Sequence, residues 1–190
     1  MDRPPIKRYY AFIIMAAVIL LDQLSKIIIR GKLAEGEWIT VGRRFWGGFL
    51  QICNLKNDGA AFSISLPNPL WNRVFFVSTT VLAVVFILWL LHRAQHKTQV
   101  VAFGLILGGA IGNNLIDRLF FGAVTDFISL DIPNWIPNLD RWPVFNVADS
   151  AIFIAMIILI YDIFFIRDKA PAPKVVAELR PDDVNIDKET

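Results

Sequence analysis

The sequence predicts an all-α polytopic membrane protein of four transmembrane helices, with a small β-sheet between the first and second helices. Of its 190 residues, 55% are hydrophobic, against about 45–50% in a typical soluble domain. Its mean hydropathy is +0.52, and four segments hold the roughly 20 apolar residues that cross a bilayer. We therefore expect one membrane domain rather than several soluble ones.

The four predicted spans are residues 9–29, 70–91, 99–119 and 146–166. The first lacks a small-x-small cleavage pattern and is longer than a signal-peptide core, so we expect a retained helix. The membrane domain then covers residues 1–169. The tail, residues 170–190, is rich in proline, aspartate and lysine, which is typical of a disordered segment.

Basic residues lie before the first span, between the second and third, and after the fourth, which predicts that both termini are cytoplasmic. The loop of residues 30–69 is an exception, because it carries Arg30, Lys32, Arg43, Arg44 and Lys56. The even number of spans nevertheless places this loop on the side of the membrane opposite the termini.

Two loops on that side are too long to be simple connections. Residues 31–69 contain two segments with β character, 38–41 and 49–55, followed by the turn sequence Asn57-Asp58-Gly59. The second loop, about residues 122–145, contains a stretch at 131–143 with several prolines and tryptophans. That stretch is either a mobile flap over a site or an inert interfacial loop.

Polar side chains converge on one end of three predicted spans, although charged groups in hydrocarbon are costly and usually face a protein interior or a cavity. Asp126 follows the third span after a short connection, near this same level. The convergence predicts a site at the membrane surface. The converging residues are Asp22, Gln23, Ser25 and Lys26, then Asn113, Asn114, Asp117 and Arg118, then Asn146 and Asp149.

Each of these groups also has a structural interpretation. Asp149 follows Asn146 by three residues, a pattern that caps a helix. Asp22–Lys26 and Asp117–Arg118 are candidate structural ion pairs. Asp162, near the other end of the fourth span, is expected to be structural and offset by Arg167 or Lys169. Glycines at 104, 108 and 112 predict close helix packing in the bilayer.

The residues restrict the chemistry of such a site. Neither histidine lies on the side opposite the termini, which argues against a Ser–His or Cys–His nucleophile, and the adjacent Ser25 and Lys26 diverge on a helix. The single cysteine forms no intrachain disulfide, and the formal charge of +2 indicates no nucleic-acid partner. A hard cation bound by aspartates alone stays conceivable. A pair of aspartates that shares one proton requires no metal or cofactor.

Five motifs in order resemble those of the lipoprotein signal peptidase (signal peptidase II) family, over nearly all of residues 8–167. Two of them are D-x-x-x-K at Asp22–Lys26 and N-x-G-x-[AS]-F at residues 57–62. The last two are V-x-D-F at residues 124–127 and F-N-x-A-D at 145–149. The third, G-G-x-x-G-N-x-x-D-R, has one residue more than the family spacing, so either Asn113 or Asn114 matches its asparagine. We favour Asn114, which shares a helical face with Asp117 and Arg118.

The resemblance implies a bacterial inner-membrane aspartyl endopeptidase that cleaves prolipoproteins before a diacylglyceryl-modified cysteine. It maps Asp126 and Asp149 onto the catalytic pair and implies neither metal nor cofactor. We expect a monomer whose partners are these substrates and membrane lipid. The resemblance also implies a supporting set of Asp22, Lys26, Asn57, Gly59, Asn114, Asp117, Arg118, Asn146 and Ala148.

Two other classes of protein were weighed against a peptidase. A transporter or proton relay would need polar residues through the full membrane depth, whereas the other halves of the spans are almost bare of them. A structural lipid-binding scaffold would tolerate Asp126→Asn and Asp149→Asn. A peptidase that uses this pair would lose activity with either change.

Overall fold

Four long helices form the body of the molecule in a computed structural model, which describes residues 7–59, 68–132 and 141–166. Each is long and apolar enough to cross a membrane, so the predicted fold class is confirmed. The four spans are Tyr9–Lys32, Pro69–His92, Lys97–Phe120 and Val147–Ile166. The predicted tail and most of the predicted flap lie outside the described residues.

The first and second spans are the continuous helices α1 (Tyr9–Lys32) and α3 (Pro69–His92). The third consists of α4 (Lys97–Ala110), a π-helical segment (Ile111–Asp117) and the short α5 (Arg118–Phe120). The fourth is α6 (Val147–Tyr161), followed by a second π-helical segment (Asp162–Ile166). Asparagines cap two of these helices, Asn68 at α3 and Asn146 at α6.

The third span lies at the centre of the bundle. Half of its most apolar stretch of 18 residues is buried, against 11–17% in the other three spans. Gly104 packs against the backbone of Ala11 in α1, where an added Cβ would lie 2.7 Å from the Ala11 carbonyl oxygen. At Gly109, an added Cβ would lie 2.6 Å from the carbonyl oxygen of Ala148 in α6. The close packing predicted from the glycine spacing is therefore confirmed.

Three antiparallel strands in the order β1-β2-β3 cover one end of the bundle, which we call the sheet end. They are β1 (Trp38–Thr40), β2 (Leu50–Asn57) and β3 (Val124–Leu130). A four-residue helix, α2 (Arg43–Trp46), lies between β1 and β2.

The first two strands are close to the predicted β segments, but the third was not predicted. Residues 124–128 were expected at the junction of a helix and a loop. Instead they pair with β2, with Leu55 opposite Asp126 and Asn57 opposite Val124. The mostly buried strand β3 obtains its backbone partners from β2, which lies far earlier in the chain, and local sequence does not reveal such a pairing.

A second group of polar residues lies at the opposite end of the bundle. Asp162 is 2% exposed and accepts hydrogen bonds from Gln99, at 2.7 Å, and from Thr98, both in the first turn of α4. The expected partners Arg167 and Lys169 lie outside the described residues. Asp162 therefore joins α6 to the start of α4 through neutral donors.

Candidate active site

Asp126 is held from both sides by amide groups. It is 4% exposed and lies on β3. Asn57, at the end of β2, donates to its Oδ2 at 2.9 Å. Asn146, the N-cap of α6, donates to its Oδ1 at 2.7 Å. Both carboxylate oxygens are therefore oriented by neighbouring elements, because the antiparallel register brings the end of β2 beside β3.

The environment of Asp126 raises its pKa to about 6. Burial is the largest cause, because desolvation penalises the charged form. The hydrogen bonds from Asn57 and Asn146 lower the pKa, and the negative charge of Asp149 raises it. Asp126 thus exchanges its proton near neutral pH, where an ordinary aspartate is fully ionised.

Asp149 lies in the first turn of α6 and both caps the helix and faces the site. Its Oδ2 accepts from the backbone nitrogen of Asn146 at 3.1 Å, and the Asn146 side chain accepts from the Asp149 backbone nitrogen at 3.0 Å. Its Oδ1 accepts from Asn113 Nδ2 at 2.8 Å. One oxygen of the Asp149 carboxylate therefore forms the helix cap, as the capping interpretation predicted, while the other oxygen contacts a residue of the site.

A fully buried lysine connects the helices behind the two aspartates. Lys26 Nζ lies 2.7 Å from Asp22 Oδ2 and 2.8 Å from Asp117 Oδ2. It also donates to Asn113 Oδ1 at 2.6 Å. Because Asn113 in turn donates to Asp149, the lysine positions that carboxylate through one amide.

Asp22 and Asp117 extend this network to α6 and β3. Asp22 Oδ1 accepts from the backbone nitrogen of Ala148 at 3.0 Å, which fixes the start of α6. Asp117 Oδ2 accepts from the backbone nitrogen of Thr125 at 3.2 Å, one residue before Asp126. The network thus connects with the residue preceding each of the two aspartates, Asp126 and Asp149.

The expectation of an ion pair between Asp117 and Arg118 is wrong. Adjacent residues on a helix point about 100° apart, and Asp117 faces Lys26 while Arg118 faces the other way. Arg118 donates to the backbone oxygen of Asp58 at 2.7 Å and to that of Gly59. The arginine therefore holds the turn after β2. The Asp22–Lys26 pair, in contrast, is confirmed at 2.7 Å.

Gly59 and Asn57 complete the turn after β2. The backbone nitrogen of Gly59 donates to Asn57 Oδ1 at 3.0 Å, an Asx-type turn of the kind that Asn-Asp-Gly favours. This bond orients the Asn57 amide so that its nitrogen faces Asp126.

Asn113 and Asn114 both line the site, in separate roles. Asn113 contacts Lys26 and Asp149, whereas Asn114 accepts from Arg118 Nε at 3.0 Å. The preference for Asn114 thus gave the correct partner, Arg118, but omitted the amide that contacts Asp149. The π-helical segment explains the extra residue in this motif, because such a bulge accommodates one inserted residue in a helix and is frequent at functional sites.

Gln23 was predicted at the level of the site but not among its supporting residues. Its Nε2 donates to Asp22 Oδ2 and to Asp117 Oδ1, each at 3.1 Å. It lies one position beyond Asp22 and thus off the helical face that Asp22 shares with Lys26, so the i, i+4 spacing did not select it. Only the position of the third span shows that Gln23 reaches Asp117.

A cavity of about 670 Å³ opens beside Asp126 and Asp149. Its polar wall comes from the β2 turn and the π-helical segment, and its apolar wall includes Phe76 and Ile152. Within residues 7–59, 68–132 and 141–166, no group of three or more histidine, cysteine, aspartate or glutamate side chains is arranged to hold a metal ion. The polar wall includes Asn57, Asp58, Gly59, Asn113, Asn114 and Arg118.

Comparison with known proteins agrees with this architecture. Two solved structures, each titled as a bacterial membrane enzyme determined by the in meso method, superpose on the chain. The one at 2.3 Å resolution has a TM-score of 0.68 and 27% identity, covering 87% of this chain and 92% of its own. The one at 1.9 Å has a TM-score of 0.66 and 30% identity, covering 82% and 93%.

Sequence comparison is more specific. Lipoprotein signal peptidases of Ralstonia nicotianae and Janthinobacterium sp. (strain Marseille) are similar to this chain. The first is 43% identical over 145 residues, which is 76% of this chain and 78% of the relative. The second is 41% identical over 150 residues, which is 78% and 84%. The family model described as Signal peptidase (SPase) II matches residues 14–165. The chain therefore belongs to the lipoprotein signal peptidase (signal peptidase II) family of signal-peptide-processing proteases.

Proposed function

We propose that this chain is an aspartyl endopeptidase that removes signal peptides from bacterial prolipoproteins, cutting before the diacylglyceryl-modified cysteine. Asp126 and Asp149 activate the attacking water. The observation that carries the proposal is the pair of carboxylates on one cavity wall, each oriented by asparagine amides.

The chemistry follows from one proton shared by two carboxylates. The ionised aspartate takes a proton from water as it attacks the scissile carbonyl, and the neutral one protonates the carbonyl oxygen. Because two nearby carboxylates disfavour double ionisation, the pair retains a proton to higher pH than a lone aspartate. The pair titrates as a unit, and the pKa of about 6 at Asp126 supports such sharing.

The position of the cavity supports a lipid-anchored substrate. Asp126 and Asp149 lie where the spans end and the sheet begins, so acyl chains can stay in the bilayer while the peptide enters the cavity. Lipid binding then orients the scissile bond, a positioning effect. On this proposal the protein is a monomer in the bacterial inner membrane. Both termini are cytoplasmic and the sheet end is periplasmic.

The test is cleavage of a diacylglyceryl-modified prolipoprotein by the purified protein in detergent, with a chelator present. Asp126→Asn and Asp149→Asn should each lower the rate by about 10²–10⁴-fold, the range of general acid–base catalysis. Asp131→Asn is the matched control, because Asp131 is an exposed carboxylate at the end of the same strand region and outside the cavity wall.

The outcomes separate the alternatives when all variants are confirmed as folded by thermal unfolding. Full activity of either aspartate variant would remove that residue from the chemistry. Loss of wild-type activity in chelator alone would indicate a metal ion. A product that keeps its lipidated cysteine within the signal peptide would refute the proposed cleavage position.

A further inference from the structure

The last turn of α1 and the loop that follows it carry more positive charge than their proposed side of the membrane predicts. The structure accounts for part of this charge. Arg30 lies 3.6 Å from Asp117, and Lys56 lies 2.5 Å from Glu35. Arg43 and Arg44, both exposed in α2, form no ion pair with any described residue. Two cations at one point on the surface thus lack an assigned counter-charge.

The same region exposes apolar side chains at unusual levels. Phe45, beside the two arginines, is 84% exposed, and Phe49 is 45% exposed. Trp38 and Ile39 are neighbours on the edge strand β1, so they point to opposite faces of the sheet, yet both are about half exposed. Neighbouring exposed apolar side chains of this kind are typical of an interaction surface.

The exposed segment has a defined shape. It runs from Val41 to Phe49, and we call it the β1–β2 tip. Gly42 and Gly47 flank α2 with φ angles of 60° and 61°, a conformation that favours glycine. The tip is therefore a tight, folded projection that presents two arginines and two phenylalanines together.

We infer that the β1–β2 tip docks on the membrane surface by binding the headgroups of anionic phospholipids through Arg43 and Arg44. Phe45 and Phe49 then enter the interface between headgroups and acyl chains, where aromatic rings are favoured. Basic residues next to an anionic leaflet gain attraction from its surface potential. Apolar side chains are also exposed near the end of α1, such as Ile27 and Ile28.

The tip is separate from the proposed active site. It joins β2 at Leu50, whereas Asn57 at the other end of this strand contacts Asp126. At about 3.3 Å per residue, the eight-residue strand separates the two points by roughly 23 Å. Docking therefore does not depend on the proposed peptidase chemistry, and each can fail without the other.

A spin label on the tip measures docking directly. Gly48→Cys provides the attachment point, because an added Cβ there meets nothing within 4 Å. Cys53 does not compete, since it is completely buried and burial raises the pKa of its thiol to about 11. The full-length protein is reconstituted in phosphatidylcholine vesicles with or without phosphatidylglycerol. The accessibility of the label to oxygen is then compared with its accessibility to a water-soluble nickel complex.

We expect the label to favour oxygen only when phosphatidylglycerol is present, and to lose this preference in high salt. The Arg43→Gln/Arg44→Gln variant should shift the ratio of docked to free tip about thirtyfold toward water, from the typical attraction of two basic residues. The matched Arg43→Lys/Arg44→Lys variant keeps the charge and should dock. A Phe45→Ser variant should weaken docking in the vesicles that contain phosphatidylglycerol.

Two results would overturn the inference. One is a label that stays in water in every vesicle, or whose depth is unaffected by the arginine-to-glutamine changes. The other is a raised KM for prolipoprotein in the Arg43→Gln/Arg44→Gln variant, equal in both lipid mixtures and without a change in label depth. That second result would assign the arginines to the substrate protein instead of the lipid surface.

Discussion

At both ends of the bundle an aspartate joins the third and fourth spans, but only the sheet end forms a candidate site among the described residues. At the opposite end, Asp162 accepts from Thr98 and Gln99. At the sheet end, Asp149 accepts from Asn113 and from the backbone of Asn146. A π-helical segment lies at each end, at Ile111–Asp117 and at Asp162–Ile166.

The difference lies in the space beside the carboxylates and in their number. Asp162 is absent from the cavity wall, whereas Asp126 and Asp149 both line it. The sheet end also places Lys26 between further carboxylates, which holds several charges in fixed positions. A buried aspartate is thus only a helix-to-helix contact, and it becomes a candidate catalytic group where a second carboxylate and a cavity accompany it.

The largest predicted effect is the loss of stability on removing the buried cation at the sheet end. Lys26→Met leaves Asp22 and Asp117 without the cation that they share, and breaking a buried pair in this way typically costs about 3–5 kcal/mol. The free energy of unfolding, measured in detergent with increasing SDS, should fall by this amount.

Lys56→Met is the control for Lys26→Met. Lys56 pairs with Glu35, but both side chains are more than half exposed, so the loss should be below about 1 kcal/mol. Adding Asp117→Asn to Lys26→Met should restore part of the lost stability. Equal losses for the two lysines would contradict the assignment of Lys26 as the buried link.

A second prediction separates the two neighbouring asparagines. Asn113→Ala removes the amide between Lys26 and Asp149, and misplacing a reacting group by about 1 Å costs roughly 10²-fold in rate. Asn114→Ala leaves Asp149 and its amide partner in place and loosens only Arg118, so its effect on kcat should be smaller. The ratio of the two kcat values for prolipoprotein cleavage, measured on folded protein, is the test. A larger loss in the Asn114 variant would reverse the assignment.

A change at the opposite end of the bundle should lower the stability of the protein and leave its rate of cleavage unchanged. Asp162→Asn weakens the hydrogen bonds to Thr98 and Gln99, and a lost bond of this kind costs about 1–3 kcal/mol. Thermal unfolding should therefore shift downward, while kcat per folded molecule stays at the wild-type value. A selective loss of kcat would show that the two ends are coupled through α4 and α6.

Local patterns predicted the elements of this protein better than their pairing. Apolar length alone predicted the four spans, and glycine spacing predicted the tight contacts of the third span with α1 and α6. Strand β3 was not foreseen, because its partners on β2 lie far away in sequence. The hydrophobic pattern thus predicts where helices and strands lie along the chain, but not which strands pair over long distances in sequence.

The candidate site shows the same limit. The depth of each polar residue in its span predicted that Asp22, Lys26, Asn146 and Asp149 lie at one level of the membrane. The structure brings these four residues together in one network. Which residues within that set contact one another could be seen only in the structure. The Asp117–Arg118 pair was inferred only because the two residues are adjacent, and Gln23 lies off the helical face that Asp22 shares with Lys26. The π-helical segment also changes the facing of Asn113 and Asn114, which an ideal helical period of 3.6 residues does not describe.

The smallest predicted effect concerns the pH dependence of the proposed reaction. Asn57 donates to Asp126, and this bond lowers a pKa that burial raises to about 6. If the active pair carries one proton, the rate falls as pH rises through the pKa at which that proton is lost. Asn57→Ala removes a bond that favours the charged form, so the pKa should rise. The alkaline limb of the kcat/KM profile should then move by about one unit to higher pH.

Asn54→Ala is the matched control for the pH profile, because Asn54 lies on the same strand and its amide donates to the backbone oxygen of Leu33. It should leave the alkaline limb in place, even if it lowers stability. An unchanged or downward-shifted limb in Asn57→Ala would indicate that Asp126 does not hold the shared proton. A shift in Asn57→Ala that Asn54→Ala does not reproduce would identify Asp126 as the carboxylate that holds the shared proton.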